Sequence, residues 1–230
     1  LTGPQQLAIK RSRLSVEILK RPSDNATKYD LFQRLNAGGI AANAQELRNC
    51  IIIMVNRQYA AFMRGLAESD SFLTVLAASD DQLEKQRHLE YASRFLVHTY
   101  VPYDGKLDVE EFIDEGIVTL ATANETHQAG ATFNATFTLL NQAYGAAALR
   151  RLQNGVPSGR VGLVAFEGIA VGIAKNIATI QQKPNPVDYV RQRISQFWQA
   201  PGVQDFFVAG LRGTIRIQRT VPFGAEWFAT

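Results

Sequence analysis

Residues 28–49 constrain this chain more than any other stretch, because two helices meet there across a glycine turn. The first helix carries Tyr29, Leu31, Phe32 and Leu35 on overlapping i, i+3 and i+4 faces. It ends at Asn36, where Gly38 and Gly39 are free to take the positive φ that closes a helix C-terminus. Asn43 followed by Glu46 is a capping-box pattern, in which each side chain satisfies a backbone amide of the other end of the turn. A second helix therefore starts there and runs to about Arg64, with Leu47, Ile51, Val55, Tyr59, Phe62 and Leu66 forming one apolar stripe. The corner gathers Arg34, Asn36 and Arg48 near free backbone amides, which suits an anion. Equally, Arg34 and Arg48 could pair with Asp30 and Glu46 and simply brace the turn. The residues alone leave both readings open.

Past residue 66 the pattern is almost wholly helical. Asp80-Asp-Gln-Leu-Glu begins a helix through Leu83, Leu89, Ala92, Phe95, Leu96 and Thr99, and Asp108 opens another through Phe112, Ile113, Ile117 and Leu120. A long helix follows over 125–152, with Phe133, Phe137, Leu140, Tyr144, Ala148 and Leu152 on one face. Asn154-Gly-Val-Pro-Ser-Gly-Arg reads as a loop. Residues 163–180 are apolar nearly all round, as expected of a central helix, and 187–198 form an amphipathic helix with Arg191 and Arg193 outside. Gly213-Thr-Ile-Arg-Ile-Gln-Arg-Thr-Val alternates β-branched and polar residues, which predicts a short strand or an extended basic arm.

Composition narrows the class. A chain of 230 residues, 46% hydrophobic and 20% charged, can bury a sizeable core in one large or two small domains. The apolar runs at 51–55 and 169–180 are interrupted by Asn56 and Arg57 and by Lys175 and Asn176, well short of the roughly 18–20 residues of a bilayer span. A soluble, cytoplasmic protein without a membrane partner is expected. The single Cys50 excludes an intrachain disulfide, and its apolar setting predicts a buried, inert thiol.

The chain is banded in charge. Lys and Arg exceed Asp and Glu by six over 1–64 and again by six over 126–230, whereas acids lead by nine over 65–125. Lys10, Arg11 and Arg13 at one end and Arg212, Arg216 and Arg219 at the other are the candidates for DNA phosphate contact. The competing explanation is that the basic bands pair with the acidic middle. No catalytic or metal constellation stands out: His88, His98 and His127 lack zinc-ligand spacing and read as ordinary surface or partly buried residues, and there is no phosphate-loop or nucleophile-elbow motif. Asp80-Asp81 and Glu110-Glu111 are explained by their places at helix starts.

Phe32-Gln-Arg-Leu-Asn-Ala-Gly-Gly and Gln45-Glu-Leu-Arg-Asn resemble the ParB/sulfiredoxin-like domain at the N-terminus of GmrSD-type restriction endonucleases. Ile9-Lys-Arg-Ser-Arg-Leu-Ser-Val-Glu-Ile-Leu is similar to that family's strand before the helix pair, and Arg94-Phe-Leu and Ala165-Phe-Glu-Gly-Ile-Ala to later helical landmarks. The resemblance implies a nucleotide-dependent component of bacterial anti-phage defence, with DNA cut by a nuclease domain or subunit outside this chain. It implies that Arg34, Asn36, Gly38, Gly39 and Arg48 support the phosphates of a nucleoside triphosphate. The family's Asp-Gly-Gln-Gln-Arg-type motif is not found in these residues, and Leu1-Thr-Gly-Pro is an unusual beginning. We therefore expect the later part of a longer protein, with the strand at 14–19 paired to a missing N-terminal segment or another chain. The expected fold is mainly α: a remnant of a small ParB-like α+β domain at 1–66 packed on a helical bundle at 67–230. The alternative function is a noncatalytic helical interaction or DNA-binding module.

Overall fold

Residues 1–13, 43–153 and 155–229 are described in the computed structural model of this protein. The chain divides into two units, Leu1–Ala41 and Ala42–Thr230. The division falls before the helix at 44, not near 66, because the buried Arg48 of that helix is ion-paired to Glu110 and Asp114 of a later helix. Arg34, Asn36, Gly38 and Gly39, the helix expected before the glycine turn and the strand expected at 14–19 lie outside the described residues.

In the first unit, α1 (Gly3–Arg11) carries Pro in its first turn and Lys10 and Arg11 in its last, where cations complement the carbonyl end. The Thr2 amide donates to Gln5 Oε1 at 2.8 Å. No residue of α1 is buried. Ile9, Lys10 and Arg11, expected to lead into a strand, instead end this helix.

The second unit is mainly helical, as the periodicities require. It opens with α2 (Ala44–Val55) and α3 (Arg57–Ala67), where one helix had been expected. Asn56 makes the break: its backbone is extended, its side chain accepts from the Gln58 and Tyr59 amides, and its Nδ2 donates to the Ala121 carbonyl at 3.0 Å. An asparagine suits such a cap because its short carbonyl reaches the orphan amides. Next come α4 (Asp70–Leu76), α5 (Asp80–Glu84), α6 (Arg87–Tyr100) and α7 (Val109–Ala123). Asp108 caps α7 by accepting from the Glu111 amide at 3.0 Å. The long helix α8 (Thr126–Tyr144) stops at Gly145, whose φ of +53° ends it before the expected 152.

A two-stranded antiparallel hairpin then stands where a loop had been expected: β1 (Arg151–Gln153) pairs with β2 (Val156–Ser158) in the register Arg151 to Ser158, Leu152 to Pro157 and Gln153 to Val156. The central apolar stretch is α9 (Leu163–Ala165), a π-helical segment (Phe166–Ala170) and α10 (Val171–Lys175), followed by α11 (Ile177–Gln181). Every residue from Val164 to Ala174 is buried, as expected of a central helix. The unit closes with α12 (Pro186–Phe197), a 3₁₀ turn (Val203–Phe207) and α13 (Gly213–Trp227).

The core centres on Phe72, Phe95, Phe133, Phe137 and Phe166, all at most 1% exposed. Phe72 meets the Phe137 ring edge at 4.6 Å between centroids, and Phe95 meets the Phe133 edge at 5.1 Å. Burying each such ring contributes about 1.5–3 kcal/mol. Cys50, expected to be buried, is a free thiol of intermediate exposure.

Helix α13 corrects the strand or extended arm expected at 213–221. Ile217, Thr220, Gly224 and Phe228 are buried at helical spacing. The fit is backbone against backbone: a Cβ on Gly224 would lie 2.0 Å from the Gly168 carbonyl oxygen, and one on Gly172 would lie 2.6 Å from the Gly224 carbonyl oxygen. Only glycine at these crossings lets α13 reach the π segment and α10, and that contact outweighs the β-propensity of the alternating residues.

The π segment buries Glu167 completely. Arg216 of α13 answers it, Nε donating at 3.0 Å and Nη2 at 2.9 Å, and the Thr220 hydroxyl donates at 2.8 Å. A buried carboxylate of this kind needs its partner, since stripping one ion from such a pair costs about 3–5 kcal/mol.

Candidate anion-binding site

The capping box expected at the start of α2 is present. The Glu46 amide donates to Asn43 Oδ1 at 3.0 Å and the Asn43 amide donates to Glu46 Oε2 at 2.8 Å. Arg48, expected to hold a phosphate, is instead wholly inaccessible. Its Nε donates to Asp114 at 2.7 Å, Nη2 to Glu110 at 3.0 Å and Nη1 to the Gln45 side chain at 2.8 Å. Neither partner is the Glu46 that local pairing suggested, because residues one turn into α2 face α7 while Glu46 turns back to the cap. The phosphate role for Arg48 gives way to an internal tie.

Glu110 also accepts from Arg94 Nη2 at 2.5 Å, and Arg94 Nε donates to Glu90 at 3.2 Å. Glu110 thus links α2 to α6 and α7, a role its place at a helix start did not reveal. Burial pushes the Glu110 carboxyl up, but Arg94 and Arg48 overcome this and leave it below its ordinary value. At Asp114 burial dominates and the carboxyl is held above its ordinary value. An adjoining cleft of about 410 Å³ is lined by Asn43, Gln45, Lys85, Arg87, Glu90 and Glu110 among others. Its two carboxylates make it a poor seat for an anion.

A second cavity, of about 230 Å³, has a different lining. Leu76, Ala77 and Ala78 form one wall, Gln82, Arg87 and Tyr91 another, and Arg150, Arg160 and Val161 close it. No carboxylate lines it. Each wall follows from local sequence. Ala77 takes the left-handed conformation that ends α4, φ +47°, and Gln86, φ +57°, turns the chain so that α6 opens at Arg87. The hairpin register carries Arg150 and Arg160 to its open end, because Arg151 pairs with Ser158. Tyr91 is fixed by edge contact with Phe166 at 4.7 Å, and burial pushes its phenol up, so it stays a neutral hydroxyl.

The three guanidiniums differ in what they already hold. Arg87 donates to Glu90 at 2.6 Å but remains half-exposed. Arg150 has a buried Nε with no partner. Arg150 and Arg160 have no ion pair among the described residues. Guanidiniums bind phosphate oxygens through paired N–H groups, and the N-terminal end of α6 adds a favourable dipole. Leu76, Val161 and the Tyr91 ring supply an apolar flank. The arrangement can hold an anion and one flat apolar group beside it; it contains no nucleophile and base in reach of each other. Among the described residues no cluster of His, Cys, Asp and Glu could hold a metal ion, and no helix is long and apolar enough to cross a membrane.

Arg87, Tyr91, Arg150 and Arg160 were missed in the sequence. The readable signal was at the hairpin: Asn154-Gly155 is a strong tight-turn dipeptide, so basic residues on either side of it are brought together. Of the residues expected to contact DNA, Lys10, Arg11 and Arg13 are exposed in the first unit, and Arg212 and Arg219 are exposed in the second. Arg216 is not available, because Glu167 holds it. The chain matches no protein-family model, no curated protein and no solved structure.

Proposed function

We propose that this chain is a nucleotide-dependent component of a bacterial anti-phage DNA restriction system, with cleavage carried out by a nuclease domain or partner outside it. The reading rests on the resemblance of residues 28–49 to the ParB/sulfiredoxin-like domain of GmrSD-type enzymes. The observation that carries it into the described residues is the cavity lined by Arg87, Arg150 and Arg160, of which the last two have no ion pair among the described residues. In this reading the cavity takes phosphoryl oxygens of a nucleotide, and the Tyr91 side flanks its base or sugar. Arg34 and Asn36 serve a phosphate at the glycine turn, while Arg48 ties α2 to α7.

Equilibrium binding of ATP, GTP, CTP and UTP to the purified chain tests the proposal. We expect at least one to bind, with Arg150→Ala plus Arg160→Ala weakening it about tenfold or more, roughly 1.4 kcal/mol, at unchanged melting temperature. Hydrolysis is expected to be negligible, because the Asp-Gly-Gln-Gln-Arg-type motif is not in this sequence. Absence of binding by all four would leave the noncatalytic interaction or DNA-binding module, the reading that the exposed Lys10, Arg11, Arg13, Arg212 and Arg219 favour.

A further inference from the structure

A third cavity, of about 330 Å³, opens between the end of α6, the following loop, Lys175 and α13. Val101, Pro102, Ile217, Val221, Pro222 and Ala225 make most of it apolar. Its polar side chains are His98, Tyr103, Lys175 and Gln218. His98 is 2% exposed, and its Nε2 is buried without a hydrogen-bond partner. Lys175 Nζ donates to the Thr99 carbonyl at 3.0 Å and has no carboxylate partner among the described residues. Tyr103, by contrast, has already spent its hydroxyl on the Leu107 carbonyl at 2.6 Å.

The charges around His98 give the cavity its sign. Arg94 is matched by Glu90 and Glu110, and Arg216 by Glu167. Lys175 is the cation left uncompensated. Burial first, then Arg94, Arg216 and Lys175, hold the imidazole neutral, its pKa lowered to about 3. A neutral imidazole can present N–H at Nε2 to an acceptor. An unmatched ammonium, an unspent ring nitrogen and an apolar wall form the few convergent polar groups in a mainly hydrophobic recess that small-molecule sites share. The free donors select against neutral apolar ligands, and the wall selects against fully hydrated ions.

We infer that this cavity binds a compact organic anion with an apolar body, of the class of aromatic or branched-chain carboxylates. The carboxylate meets Lys175 and His98, and the body lies against Pro102, Ile217 and Val221. This site shares none of the lining residues of the arginine cavity and does not depend on the nucleotide reading.

Benzoate is a suitable probe, with benzamide as its uncharged counterpart and inorganic phosphate as an anion without a body. Calorimetric titration of the full chain should show saturable benzoate binding by about 10 mM, with benzamide and phosphate each at least about tenfold weaker. Lys175→Met should weaken benzoate about tenfold while leaving benzamide unchanged. Ala225→Leu, which fills the wall and leaves Lys175 and His98 unchanged, should abolish benzoate binding with native circular dichroism retained. Failure of benzoate to saturate, equal binding of benzamide or phosphate, or indifference to both substitutions would each overturn the inference.

Discussion

Two groups of arginines in the second unit have the same side chain and opposite circumstances. Arg48 and Arg94 are buried at 0% and 4% exposure and are met by Glu90, Glu110 and Asp114, whereas Arg150 and Arg160 line a cavity with no carboxylate in its wall. The acidic middle of the chain is therefore spent, in part, on internal pairing with Arg48 before it and with Arg87 and Arg94 inside it. Arg150 and Arg160, which it does not reach, flank the hairpin. Excess charge along a sequence does not distinguish a tie from a ligand; the carboxylates each arginine meets in space do.

The largest expected effect breaks this comparison most directly. Arg48→Ala leaves Asp114 without its arginine and Glu110 with Arg94 alone, and through the loss of these charge-assisted hydrogen bonds should cost about 2–4 kcal/mol in denaturant unfolding. Arg150→Ala and Arg160→Ala should each stay within about 0.5 kcal/mol of the parent, because neither leaves a buried charge unmatched. Equal losses at Arg48 and Arg150 would mean that the cavity is as structural as the network.

A smaller effect tests the other buried pair. Gly224→Ala pushes a methyl into the Gly168 carbonyl and should cost about 1–3 kcal/mol, the range for overpacked cores. The variant should also loosen Arg216 from Glu167, since both lie on the same helix crossing. Hydrogen exchange would show this as faster exchange along α13 with α2 unaffected. Uniform acceleration would mean instead that both ion pairs open in one cooperative step.

Acid titration separates the groups by sign. His98 has its folded pKa lowered from 6.5 to about 3, so below pH 6.5 the unfolded chain takes up a proton that the folded chain refuses. Stability is fully present above 6.5 and falls as pH approaches 3, by about 1.4 kcal/mol per pH unit where the difference is one whole proton. Glu110, its folded pKa lowered, acts in the same direction but only below its ordinary value of 4.5. Asp114, its folded pKa raised, acts in the opposite direction and offsets part of that loss. The fall between pH 6.5 and 4.5 thus reports on His98 together with His88, whose pKa burial also lowers, and His98→Gln should flatten it by the share that His98 carries in urea midpoints measured across that interval. An unchanged slope would show that the imidazole is not kept neutral by its surroundings.

What was legible in the sequence was periodic or capped. The apolar stripes at 51–66, 133–140 and 163–174 face the core, and Asn43 and Asp108 cap the helices they were expected to open. Three other features depended on partners distant in the chain. Asn56 interrupts one stripe because its side chain can cap a new helix while reaching Ala121 and Asn124. The alternation at 213–221 looked β-like, yet Ile217, Thr220 and Gly224 also fit a helical face, and the Gly168 crossing decides between them. Arg48 could have served a phosphate or a carboxylate; Asp114, 66 residues away, settles its use. Of the arginine cavity only the meeting of Arg150 and Arg160 across the hairpin was legible, since its walls come from four separate stretches.

The smallest expected effect concerns DNA. Each cation on a phosphate releases counterions and contributes about −0.9 to the slope of log affinity against log salt on duplex DNA. In the sequence alone, Arg212, Arg216 and Arg219 are equivalent. With Arg216 held by Glu167 at 2.9 Å and 16% exposed, only the other two remain to touch a phosphate from this segment. Arg212→Gln and Arg219→Gln together should therefore flatten the slope by at most about two contacts, roughly 1.8, without altering the unfolding midpoint. Arg216→Gln should do the reverse, lowering stability and leaving the slope alone at temperatures where the protein stays folded. Binding isotherms over a salt series, run beside thermal melts of the same variants, compare the two behaviours directly. A slope that responds to Arg216 but not to its neighbours would mean that the Glu167 pair opens on DNA, making this arginine both tie and ligand.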